Sequence, residues 1–274
     1  MISDFTGKCE CNETEITSDS SHFCLLAHGI DSEMELIFEQ ADGPSTTPRS
    51  TPIVGRVCTS QGETFAHMVD AWVGRDPGEW FDACDAVQRI VVWCGRVGAS
   101  VDPDGDDSEA QAARLLASWS QAGWAQFDED VVKLDEFVSR AGLELLIRPS
   151  CSGMLSDAIC TAAWARRSSG LACKLMLDPM GWMVGSMMRD VGDHLQRIAD
   201  LCEECVETSQ KVGAVLIRSL KTDESGELVQ CSVGEGEIDP ELIAERFGGM
   251  IRLGQERGIP LIVLDRGDLE LLGL

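Results

Sequence analysis

LACKLMLD (Leu171–Asp178), VGAVLIR (Val212–Arg218) and PLIVLD (Pro260–Asp265) are three short apolar runs, and what separates them decides the fold. An amphipathic stretch from Asp190 to Lys211 lies between the first two. The turn VGEGEIDPE (Val233–Glu241) and a second amphipathic stretch from Leu242 to Arg257 lie between the second and the third. Strand, helix, strand, helix, strand is the order of right-handed βαβ units in a parallel sheet. Each run ends in a charged residue: Asp178, Arg218 and Asp265.

The same unit continues upstream. RIVVWC (Arg89–Cys94) is a continuous apolar run after Arg89, as a strand buried on both faces requires. LELLI (Leu143–Ile147) is the next strand and leads into Arg148-Pro149. Amphipathic helices are expected over Glu109 to Ala122, over Asp128 to Ala141 with Gly142 as its cap, and over Met154 to Arg167. Asp239-Pro240 reads as a helix start, with Asp239 as N-cap and Pro240 in the first turn. Five strands from Arg89 onward, separated by helices, fit an α/β chain of the (β/α)₈ TIM-barrel type, irregular in its N-terminal third. Further strand candidates there are HFCLLA (His22–Ala27), MELIFE (Met34–Glu39) and IVGRVCTS (Ile53–Ser60), with no clear helix between them. Helical pieces follow over Phe65 to Val73 and Glu79 to Val87. Residues 1–20, polar and acidic, read as an arm, and residues 21–274 as one barrel domain.

Composition narrows the function. The 274 residues suffice for one barrel of about 250. A net charge of −25 disfavours nucleic acid, whose phosphates it repels. No apolar run approaches the roughly 20 residues of a membrane helix, and the N-terminus has no apolar signal region, so a cytoplasmic protein is expected. The twelve cysteines are scattered through strands and helices and read as reduced, small core residues. Cys202 and Cys205 share the apolar helix face of Leu195, Ile198 and Val206, so core packing is the reading there. Cys9-x-Cys11 lacks two further metal ligands, and the acidic loop Gly98–Ser108 lacks the closing carboxylate of a calcium loop. None of His22, His28, His67 and His194 stands in a catalytic arrangement, and no nucleotide-binding glycine motif occurs.

Three segments resemble the xylose isomerase-like barrels of the sugar phosphate isomerases and epimerases, which are related to the endonuclease IV fold. LMLDPMGW (Leu175–Trp182) is similar to that family's sixth strand, which usually reads hydrophobic-Asp-x-Gly-His. GAVLIRSL (Gly213–Leu220) stands where the family has a strand ending in His-x-x-Asp. VGEGEID (Val233–Asp239) is similar to its G-x-G-x-I-D segment. The resemblance spans about residues 85 to 270. It implies a divalent metal (Mn, Zn or Mg) held by Glu, Asp, His and Glu at four strand ends. Here those ends carry Arg148, Asp178, Arg218 and Asp265, the His after Asp178 is replaced by Gly181-Trp182, and arginine cannot ligate a cation. No metal site is therefore assigned from the residues.

What remains is a candidate mouth. Asp178, Arg148, Arg218 and Asp265 are expected to converge there. Two guanidiniums suit a carboxylate or phosphate, with an aspartate as acid or base; a purely structural salt-bridge network fits the same residues. Trp182 is the one tryptophan expected to line a sugar-binding mouth, and Glu235 is expected in a loop beside it. Trp72, Trp80, Trp93, Trp119, Trp124 and Trp164 read as core. The expected function is isomerase or epimerase chemistry on a small carbohydrate or sugar acid. Asp178 would take a proton next to a carbonyl and Arg148 or Arg218 would stabilise the enediolate. The alternative is a barrel without catalysis, kept as a binding or scaffold protein. An endonuclease-like role conflicts with the charge.

Overall fold

The computed structural model describes residues 34–38, 53–57, 87–94, 119–151, 153–265 and 267–274. It is a mixed α/β structure built on a seven-stranded sheet. Strands β1 (Met34–Phe38), β2 (Ile53–Val57), β3 (Val87–Trp93), β4 (Glu144–Arg148), β5 (Lys174–Leu177) and β6 (Val212–Leu216) run in spatial order, and β9 (Leu261–Ile262) follows β6. β1 pairs with β2 antiparallel; every later pair is parallel. A short antiparallel hairpin, β7 (Ser219–Thr222) and β8 (Leu228–Cys231), is inserted between β6 and the helix that leads to β9. The outer strands β1 and β9 approach each other within 8 Å between Cα atoms.

The helices are α1 (Gln121–Arg140), α2 (Ala158–Arg167), α3 (Val191–Thr208), α4 (Pro240–Glu256) and the short α5 (Gly267–Leu271). Their starts follow local chemistry. Ser120 accepts from the Gly123 N–H at 3.1 Å, and Asp157 from the Cys160 N–H at 2.7 Å. Asp239 accepts from the Glu241 N–H with Pro240 in the first turn, as the Asp-Pro pair predicts. The expected break between Ala122 and Asp128 does not occur. One helix begins at Gln121 and runs through the buried Gly123. Gly142 closes that helix in the left-handed region (φ 75°). α2 starts at Ala158, four residues later than the periodicity suggests, because Met154 and Leu155 are packed in the core and Asp157 caps. α3 ends at Thr208, and Lys211 turns inward so that its Nζ donates to the carbonyls of Leu171 and Cys173.

The two faces of the sheet hold separate cores. Ile90, Val92, Leu145, Ile147, Leu175, Leu177 and Val215 pack with helix residues such as Phe127, Leu134, Trp164, Leu195, Cys202 and Phe247. On the opposite face Val91, Trp93, Leu146, Met176, Ala214, Leu216 and Ile262 are buried against one another, with no helix residue among the described ones in the cluster. This inner face is layered. Arg89, Glu144 and Lys174 form ion pairs at its N-terminal end, at 2.8 and 2.7 Å. The apolar layer lies above them, and the C-terminal end is charged again. Strands β3 to β6 therefore alternate between the two cores, with charged residues where the inner face reaches an end of the sheet.

The strand candidate His22–Ala27, the helical pieces over 65–73 and 79–86, residues 109–118 of the helix expected over Glu109 to Ala122, Cys9, Cys11, His28, His67, Trp72, Trp80 and the acidic loop 98–108 lie outside the described residues. Cys94, Cys160, Cys173, Cys202, Cys205 and Cys231 carry free thiols. Burial pushes the Cys94 thiol up to about 12 and that of Cys202 well above its usual value, as expected for inert core cysteines. Among the described residues no helix is long and apolar enough to cross a membrane.

Candidate functional site

The charged layer at the C-terminal end of the inner face is a triad. β4 delivers Arg148 as its last residue. β5 ends one residue before Asp178, and the extension of β6 carries Arg218. All three face the same way because each stands an even number of residues beyond an inner-face residue: Leu146, Met176 and Leu216. Their exposures are 2%, 0% and 1%.

Asp178 accepts four hydrogen bonds. Oδ2 accepts from Arg148 Nε at 2.8 Å and Arg218 Nη2 at 2.6 Å; Oδ1 accepts from Arg218 Nε at 2.9 Å and the Gly181 N–H at 3.2 Å. Arg148 Nη2 lies 2.7 Å from Oδ2 as well and donates to Gln230 Oε1 at 3.2 Å. The Arg148 guanidinium carbon sits 3.9 Å from the centre of the Trp93 ring, a cation–π contact that covers its face. A carboxylate offers about four lone-pair sites, so Asp178 has none to spare. Burial pushes the Arg218 guanidinium down to about 9, with Asp178 opposing the shift and Arg148 adding to it. It remains charged at neutral pH.

Asp265 and Trp182 lie elsewhere. Asp265 does not join the triad. β9 ends at Ile262, so Asp265 falls in the turn before α5, exposed, with Oδ1 accepting from the Gly267 N–H at 2.7 Å. Trp182 is 3% exposed and lies in the helix-side core, its indole N–H donating to the Leu155 carbonyl at 3.0 Å, so it does not line an open mouth. The turn Pro179–Trp182, held by the Gly181 N–H on Asp178, folds the ring back under the strand. Glu235 is largely exposed and sits 3.4 Å from Lys221 Nζ. Two participants were not picked out from sequence. Trp93 reads from sequence as core only. Gln230 arrives on a hairpin whose signal was present: the Asp223-Glu-Ser-Gly226 turn between two short runs of mixed polarity.

The residues present do not fit the divalent metal that the resemblance implies. Both oxygens of Asp178 face guanidiniums, which repel a cation and cannot ligate it. Among the described residues no group of three His, Cys, Asp or Glu side chains could hold a metal ion. Chemically, the triad can bind negative charge and hold three strand ends together. It offers no carboxylate oxygen free to take a proton. In comparisons with known proteins, no family model and no curated protein matches this chain.

Proposed function

We propose that this chain is a barrel of the sugar isomerase and epimerase type that binds a small carbohydrate or sugar acid, or serves as a scaffold, without proton-abstraction chemistry at Asp178. The observation that carries this reading is the saturation of Asp178 by Arg148, Arg218 and the Gly181 N–H. A general base needs an oxygen within reach of the proton it removes. Here each lone pair is already spent, at a group with no exposure.

Closure into a barrel is supported by three features. The strand order from β1 to β9 never reverses, which sets the fold apart from doubly wound sheets with their switch point. The helices share one core, while the opposite face buries itself. The outer strands approach each other. A cytoplasmic location accords with the free thiols.

The test is hydrogen exchange. The purified protein is incubated in D₂O with a panel of sugar acids and sugar phosphates, with and without Mn, Zn or Mg, and deuterium at the carbon next to the carbonyl is followed by NMR. No enzyme-dependent exchange is expected. Exchange that disappears in Asp178→Asn would sink the proposal and restore the isomerase mechanism. Elemental analysis of the same preparation is expected to find no stoichiometric metal.

A further inference from the structure

The triad is not electrically balanced. Two guanidiniums and one carboxylate leave a surplus of one positive charge, enclosed at 2% exposure or less. Isolated buried charge is costly, and proteins compensate it with a partner or a bound ion. Among the described residues no second carboxylate bonds to either arginine. The remaining partner, Gln230, is neutral. Each guanidinium spends Nε and Nη2 and makes no hydrogen bond through Nη1 among the described residues. Each thus keeps an NH₂ group unspent. The burial of Arg218, opposed only in part by Asp178, expresses the same imbalance.

We infer that Arg148 and Arg218 form an oxyanion site, completed by a carboxylate or phosphate group of a small ligand that supplies the missing negative charge through their unspent Nη1 groups. This rests on the reading that the barrel mouth binds rather than abstracts protons. Guanidinium forks favour planar or tetrahedral oxyanions over halide. Asp178 is then a positioning residue: it holds both arginines at the strand ends and never meets the ligand's chemistry. Trp93 fixes the Arg148 plane from below.

The experiment is isothermal titration calorimetry of the full chain with inorganic phosphate and, separately, with glycolate, at constant chloride. Saturable binding of at least one is expected, and which one binds assigns the ligand's group. Two variants test the charge argument. Gln230→Glu places a carboxylate where Gln230 Oε1 already meets Arg148, so it should abolish binding and raise Tm by several degrees. Gln230→Ala adds no charge and should keep binding. If Gln230→Glu fails to fold, Arg148→Gln removes the surplus directly and must also abolish binding. The inference is overturned if neither oxyanion binds the wild-type chain, or if binding survives Gln230→Glu or Arg148→Gln unchanged. Deuterium exchange separates the two readings. Exchange with phosphate or glycolate binding intact removes the non-catalytic reading and leaves the oxyanion site. No binding and no exchange does the reverse.

Discussion

Arg218 grips Asp178 side-on, Nε to Oδ1 at 2.9 Å and Nη2 to Oδ2 at 2.6 Å, in the bidentate geometry that gives Arg–carboxylate pairs their strength. Arg148 then approaches the same carboxylate from the neighbouring strand end. Three strands are thereby tied together at the rim, above an apolar layer, by one buried anion. The consequences for stability and for binding can be measured separately.

Asp178→Asn is expected to destabilise the fold by about 3–5 kcal/mol, because it leaves two buried guanidiniums facing an uncharged amide. Urea denaturation monitored by tryptophan fluorescence measures it. A loss below about 1 kcal/mol, the size of an exposed pair, would mean that the triad is solvated.

Gly153→Ala is expected to cost about 1–3 kcal/mol by overpacking. A Cβ there would sit 1.9 Å from the Cys94 carbonyl oxygen and 2.6 Å from its Sγ, and the backbone oxygen cannot rotate away. Gly170→Ala, where nothing lies within 4 Å, is the control and should stay within about 0.5 kcal/mol. Equal effects at the two positions would contradict the close approach of the loop after β4 to β3.

Asp268 predicts a pH dependence. It is enclosed, with Oδ1 accepting from the Gly234 N–H and Oδ2 from the Asp265 N–H, both at 3.2 Å. Burial, the largest cause, raises its pKa above 3.8 despite these bonds. In the window between 3.8 and the raised value the native state binds more protons than the unfolded one, so this group's contribution grows as pH falls and is lost as pH rises. Wild type should therefore gain stability relative to Asp268→Asn as pH is lowered through that window. A wild type that instead loses stability relative to Asp268→Asn on acidification would show that the charged form is the favoured one.

Trp182→Phe should cost about 1–3 kcal/mol, since the Leu155 carbonyl loses its donor in the core. Phosphate or glycolate affinity should not change. Lost binding with the fold intact would place the indole at the proposed oxyanion site after all.

Much of the architecture could be read from the chain. Arg89–Cys94, Leu143–Ile147, Lys174–Leu177 and Leu261–Ile262 announce themselves because strands buried on both faces are largely apolar, and the charged Arg89, Glu144 and Lys174 stand only near their N-terminal ends. Met34–Phe38 and Ile53–Val57 were also visible as apolar runs, but not their antiparallel pairing, which depends on chain direction in space. The β7–β8 hairpin went unread: its residues are half-polar because one edge faces outward, so periodicity is weak. In the site, Arg148, Asp178 and Arg218 were predictable as strand-end charges, whereas Asp265 looked equivalent and is not. The difference is that β9 stops at Ile262, three residues short, and no residue pattern marks where a strand leaves its sheet.

By itself, then, the amino-acid sequence determined the βαβ order, the helix starts at Asp239-Pro240 and the charged residue at each strand end, because these follow from local propensity and from the burial of short apolar runs. Only the tertiary structure decided that Asp178 is shared by two arginines, that Trp182 lies inside and that Asp265 stands apart. Those outcomes depend on which residues the sheet brings within hydrogen-bonding distance across 30 to 40 positions of chain, and on a charge balance that exists only once the three strand ends meet.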